Sequence, residues 1–158
     1  MSKSHFERML QLAEEIFDTK SDPNQLDVDE NVINHLQEIH PATMSEYDDG
    51  KGPAVWILLI PTTEKLMNEF LNDTISEKEL YQATPLNIDY DCIYLCSAMV
   101  LEEYRGKGIA QKLTMSAIES IRNDHPIKYL FTWPFSKQGL SLANKIAELS
   151  QLLLKVKK

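Results

Sequence analysis

Val100-Leu101-Glu102-Glu103-Tyr104-Arg105-Gly106-Lys107-Gly108-Ile109-Ala110 carries the most information in this chain. Before it, Asp91 to Leu101 is apolar almost throughout (Cys-Ile-Tyr-Leu-Cys-Ser-Ala-Met-Val over 92–100), as expected of a strand buried on both faces. After it, Ile109, Leu113, Ala117, Ile118 and Ile121 recur at helical spacing and predict a helix over 109–123, ended by His125-Pro126. Ile127 to Trp133 reads as a further strand, stopped by Pro134, which has no amide proton for a sheet ladder. Strand, glycine turn, helix and strand make a βαβ unit with adjacent parallel strands and a right-handed crossover. At the turn, a helix start leaves about four amides without partners and carries about half a positive charge. Gly106 and Gly108 let a ligand approach the backbone, and Arg105 and Lys107 add cationic charge. The combination suits a phosphate or pyrophosphate. It is not a Walker loop, whose glycine span is longer and ends in Gly-Lys-Ser/Thr, nor a three-glycine dinucleotide fingerprint. A nucleotide-binding module on the same turn is a minor alternative.

Working towards the N-terminus, Ala54 to Ile60 is a continuous apolar run and predicts a strand covered on both faces. Pro61-Thr62-Thr63-Glu64 resembles a helix entry, with Leu66, Met67, Phe70 and Leu71 as the apolar face. A short helix is expected around Ser76 to Gln82, broken at Thr84-Pro85. Glu46 to Gly52 reads as a loop or hairpin turn. An amphipathic helix is predicted over Ser4 to Lys20 on Phe6, Met9, Leu10, Ala13, Ile16 and Phe17, then a turn at 21–24. A second helix runs from about Asp29 to His40, stopped by Pro41. Towards the C-terminus, 137–154 reads as a helix, or a helix and a short strand, with a frayed basic tail over 155–158.

The chain has 158 residues, the length of a single domain over 1–158. Its net charge of −8 argues against a general nucleic-acid binder and against docking on an anionic membrane. The charge is uneven: residues 1–90 hold 6 basic and 18 acidic groups, whereas 91–158 hold 10 basic and 6 acidic. An anionic ligand on the back half and a cationic one on the front half fit that division. No charged start leads into an apolar run, so no secretory signal is expected. Cys92 and Cys96, four apart in a strand, lie about 13 Å apart at the usual rise, too far for a mutual disulfide. Buried thiols in a reducing, cytoplasmic setting are the expectation, and no metal site is.

Arg105-Gly106-Lys107-Gly108-Ile109-Ala110 resembles the Arg/Gln-x-x-Gly-x-Gly/Ala signature of the GNAT superfamily of acyl-CoA-dependent N-acyltransferases. The resemblance covers about residues 90–136. It implies an α/β fold with a mixed, centrally parallel sheet flanked by helices, here with a helical N-terminal region and a shortened C-terminal end. It also implies an enzyme that uses acetyl-CoA as co-substrate to acetylate a primary amine by direct attack in a ternary complex. By resemblance, the pyrophosphate rests on Arg105, Gly106, Lys107, Gly108, Ile109 and Ala110. The pantetheine arm follows Met99, Val100 and Leu101, and Ser136 stands nearest to the family's usual Asn. The family's base is often a carboxylate near the start of this strand, which makes Asp91 and Tyr94 the catalytic candidates. The family's tyrosine acid has no counterpart between Ser136 and Ala147. The acidic front half points to a cationic acceptor, a small molecule or a protein lysine. The helical stretch 62–82 is either a lid over that acceptor or a stabilising insert. A sheet edge left by a short C-terminus is a natural place for a homodimer. The competing reading is a degenerate module that binds CoA or a partner protein without turnover.

Overall fold

The computed structural model describes residues 4–5, 7–9, 11–12, 30–134 and 136–157. Residues 5, 7–9 and 11–12 are helical, which agrees with the predicted first helix where it is described. Phe6, Leu10, Ala13, Ile16, Phe17 and the turn at 21–24 lie outside the described residues. Helix α1 (Glu30–Ile39) ends one residue before His40, whose side chain caps a short 3₁₀ turn beginning at Pro41.

Five strands form one sheet in chain order: β1 (Met44–Asp48), β2 (Pro53–Thr62), β3 (Cys92–Val100), β4 (Tyr129–Thr132) and β5 (Leu153–Val156). The first three are antiparallel neighbours, and β3–β4 and β4–β5 are parallel. Ala54 to Thr62 of β2 are all buried, as the unbroken apolar run requires. Helices α2 (Glu64–Leu71) and α3 (Glu77–Ala83) connect β2 to β3. Thr63 caps the first, and Ser76 and Glu79 form a capping box on the second. Helix α4 (Ile109–Asp124) makes the crossover between β3 and β4, and α5 (Lys137–Ser150) leads to β5.

Three expectations change. Glu46 to Asp48 belong to an edge strand and not to a loop, and the turn is confined to residues 49–52. There Asp48 Oδ1 accepts from the amides of Gly50 and Gly52, both at positive φ. The strand predicted over 127–133 shrinks to four residues, because the Lys128 and Tyr129 amides turn back to Asp91 O and Pro134 follows. The basic tail is ordered from Lys155 to Lys157. Lys155 and Val156 pair with β4, the Lys157 amide donates to Thr132 O, and the Lys157 side chain is buried.

Candidate functional site

Sheet register builds the site. β3 and β4 pair only over Cys92–Tyr94 and Tyr129–Phe131. Against β2, Leu58 faces Ser97 and Leu59 faces Leu95, so Cys96 is a bulge. A bulge bends and twists its strand, and here it falls where pairing with β4 ends. The last tie across the parting is Thr132 Oγ1 donating to Leu95 O at 3.3 Å. A cleft of about 300 Å³ opens beyond it. Leu95–Ala98 line one wall, Trp133–Pro134 the other, and Gly139, Leu142 and Ala143 of α5 the floor. Ser97 Oγ is buried and has no hydrogen-bond partner among the described residues. A buried hydroxyl without a partner is costly, on the order of 1–3 kcal/mol.

The glycine turn lies at the far end of β3. Leu101 N–H donates to Ala54 O, a 3₁₀ turn spans Glu102–Tyr104, and Arg105 Nε donates back to Val100 O at 3.1 Å. Gly106 and Gly108 both sit at φ +76°, a conformation open to glycine and strained for other residues. Gly108 occupies the N-cap of α4 with no side-chain cap bond. The helix ladder begins with Lys112 N–H donating to Gly108 O, which leaves the amides ahead of it outside the ladder. A Cβ at either glycine would meet no described atom within 4 Å. Arg105 and Lys107 are exposed beside them, Lys107 Nζ 5.6 Å from the Tyr104 ring centroid.

Acidic groups near the turn are held by specific partners. Arg8 binds Glu103 through two contacts of 2.6 Å and draws the Glu103 carboxyl down to about 2. The Tyr104 hydroxyl donates to Asp49, and that bond pushes the phenol up to about 12.

Apart from Ser136, the candidates named from sequence are spread along β3 and its two ends. Arg105 to Gly108 form the turn, and Ile109 and Ala110 open α4. Ser136 caps α5 at the cleft, its Oγ accepting from Gly139 N–H at 3.0 Å. Met99 and Leu101 are buried and Val100 is half-buried, all past the cleft wall made by Leu95–Ala98. Asp91 stands at the other end of β3, where its Oδ1 accepts from Glu64 N–H at 2.7 Å and so closes the start of α2. Tyr94 is fully buried, stacked on Phe131 at 5.0 Å and edge-on to Phe70 at 5.2 Å. Its hydroxyl donates to Glu77 Oε2 at 2.5 Å. Burial, with Glu77 second, pushes the Tyr94 phenol well above its usual value, so it remains a proton donor.

Sequence reading missed two residues, Ser97 and Glu77. Ser97 had a faint signal as a hydroxyl inside an apolar strand. Glu77 read only as an acidic residue in a first helical turn, the usual place for one.

The residues fit an acyl-CoA thioester. Open amides and two cations suit a pyrophosphate, and an apolar cleft with one unsatisfied hydroxyl suits a pantetheine arm and its thioester. Among the described residues, no group of three or more His, Cys, Asp or Glu could hold a metal ion, and no helix is long and apolar enough to cross a membrane. A family model described as the acetyltransferase (GNAT) family matches residues 64–143. No curated protein matches the chain.

Proposed function

The chain belongs to the acetyltransferase (GNAT) family of acyl-CoA N-acyltransferases, and from that premise we propose that it moves an acetyl group from acetyl-CoA to a primary amine by direct attack in a ternary complex. The observation that carries this reading is the parting of β3 from β4 at the Cys96 bulge, in line with the glycine turn at the end of the same strand. The turn would take the pyrophosphate on the amides of residues 106–110, helped by Arg105 and Lys107. The cleft would take the pantetheine arm. Beyond Tyr94, β3 backbone no longer pairs with β4; apart from Leu95 O, taken by Thr132, and Val100 O, taken by Arg105, its groups on that edge would serve an extended ligand and the thioester oxygen. Holding amine and thioester in line supplies much of the rate in such a transfer. Tyr94 acts here as a donor, and Asp91 holds α2 in place. We take residues 1–158 to work as one domain. Neither cysteine is in a disulfide, which supports a reducing compartment such as the cytoplasm.

Isothermal titration tests the reading. Acetyl-CoA is expected to bind in the micromolar range, and Gly108→Trp, which fills the turn, to weaken it at least tenfold. Binding no tighter than millimolar, or insensitive to that substitution, overturns the proposal. One observation favours a second reading, a domain that binds CoA without turnover: α5 carries no tyrosine to act as the acid. Thiol release over a panel of primary amines separates the two, since binding without release in any of them supports the second.

A further inference from the structure

We propose that Glu77 is the group that takes the proton from the acceptor amine, and that the cavity beside it, on the face of the sheet opposite the thioester cleft, is where the amine is held. The proposal rests on the transferase reading and adds the second half of its site.

Alternation along the strands separates the two faces. Leu95 and Thr132 line the thioester cleft, so Tyr94 and Phe131, their neighbours, turn to the other face. There Phe70 of α2 packs against Tyr94, Phe131 and Trp133, and a second cavity of about 250 Å³ opens. Its walls include Phe70, Asp73, Glu77, Glu79, Trp133 and Lys157. Trp133 lines both cavities, and it stands where β4 has ended and β3 has turned away. The two cavities thus share Trp133 beside the parting of the strands, and in this proposal an amine held in one reaches a thioester held in the other through that parting.

The second cavity already holds an ammonium. Lys157 Nζ donates to Phe70 O at 3.1 Å and to the Asp73 carboxylate, and it lies 5.1 Å from the Phe70 ring centroid and 5.7 Å from that of Trp133. Carboxylate, carbonyl and aromatic faces are the partners an alkylammonium seeks. Lys157 is fixed through its backbone to β4 and forms part of the wall, so the remaining volume is open to a second amine.

Three carboxylates border the space, and they differ in what they do. Asp73 binds Lys157, and Glu79 accepts from Ser76 N–H in the capping box. Glu77 is 1% exposed, and the Tyr94 hydroxyl donates to it. Burying a carboxylate is costly unless donors hold it, and helix α3 needs no buried acid at its first position to form. Tyr94 holds the carboxylate in one orientation at the last paired residue before the strands part.

The proton balance follows. The acceptor enters as an ammonium and gives one proton to the Glu77 carboxylate. Its nitrogen lone pair attacks the thioester carbon, so a C–N bond forms and the C–S bond breaks. The second proton lost by that nitrogen leaves with the sulfur as the CoA thiol, and Glu77 returns its own proton to water.

The test is steady-state acetylation of spermidine and of a lysyl peptide, with acetyl-CoA affinity measured in parallel by calorimetry. Glu77→Ala is expected to lower kcat by roughly 10²–10⁴ and to leave acetyl-CoA affinity within threefold. Added formate restores at least tenfold of the loss, and equimolar chloride does not. Glu77→Gln keeps the shape and serves where the alanine variant does not fold, with the same loss in kcat expected. A folded variant with unchanged kcat overturns Glu77 as the proton acceptor while the transferase reading stands. So does loss of acetyl-CoA binding together with kcat, which would make Glu77 structural. Failure of the unaltered protein to bind acetyl-CoA, or to turn over either amine, overturns the transferase reading and this role with it.

Discussion

Ser97 and Glu77 are both polar side chains buried against the sheet, and they call for different explanations. Glu77 has a donor in Tyr94 and lines the same cavity as Lys157. The Ser97 hydroxyl has no partner among the described residues, which leaves its desolvation uncompensated. Removing such a group while keeping its surroundings is expected to stabilise the fold, by about 1 kcal/mol. Ser97→Ala is therefore expected to unfold at higher temperature than the unaltered protein and to bind acetyl-CoA less tightly. Thermal unfolding and calorimetry check the two signs separately. Lower stability with unchanged affinity would show that the hydroxyl serves the fold. The glycine turn makes a related point at single residues. Gly106 and Gly108 have open space around them, so a side chain there meets no collision and its cost lies in a backbone at φ +76°.

Among the elements, β3 does the most. It is paired on both sides at its start, bulged at Cys96, unpaired towards β4 beyond that point, and capped by the glycine turn. One nine-residue strand thereby places the cleft and the glycine turn in line. The pair α2–α3, expected either as an acceptor lid or as an insert, contributes Phe70, Asp73 and Glu77 to the wall of the second cavity. At the other edge, β5 is four residues long and leaves Leu153 59% exposed and Val156 39% exposed. An edge strand with exposed apolar side chains offers a place for a second copy to pair. Size exclusion with light scattering is expected to show a dimer that Leu153→Lys reduces to monomer. A monomer at all concentrations overturns that expectation.

At the scale of the molecule, contacts between distant parts of the chain assemble the site. Lys157 reaches Asp73, His40 Nε2 lies 2.7 Å from Asp124, and Arg8 ties the N-terminal segment to Glu103 beside the glycine turn. The last tie has a defined pH dependence. Arg8 lowers the folded Glu103 carboxyl to about 2, below the roughly 4.3 of an unfolded glutamate. Its contribution is therefore complete above that unfolded value and fades as pH falls towards 2. The pair is exposed, so the effect is small. Arg8→Gln is expected to melt slightly below the unaltered protein near neutral pH, with the gap closing between about pH 4 and 2 in thermal scans. A gap that does not change with pH would assign the loss to packing of the arginine stem. Local pattern made the central βαβ unit legible: unbroken apolar runs of strand length, a helical stripe, and two glycines between them. The same pattern placed α2, α3 and β2 within a few residues, and the amides of the turn within reach of an anion. The bulge at Cys96, where β3 leaves β4, was not legible, because a bulge is set by which partner residues fill the ladder on each side. Nor was Glu77, whose meaning comes from Tyr94, seventeen residues away, and from Lys157 at the far end of the chain. Local periodicity and turn chemistry determined the elements and the glycine turn. Long-range hydrogen bonding and burial decided where the sheet opens and which carboxylate stands at the opening.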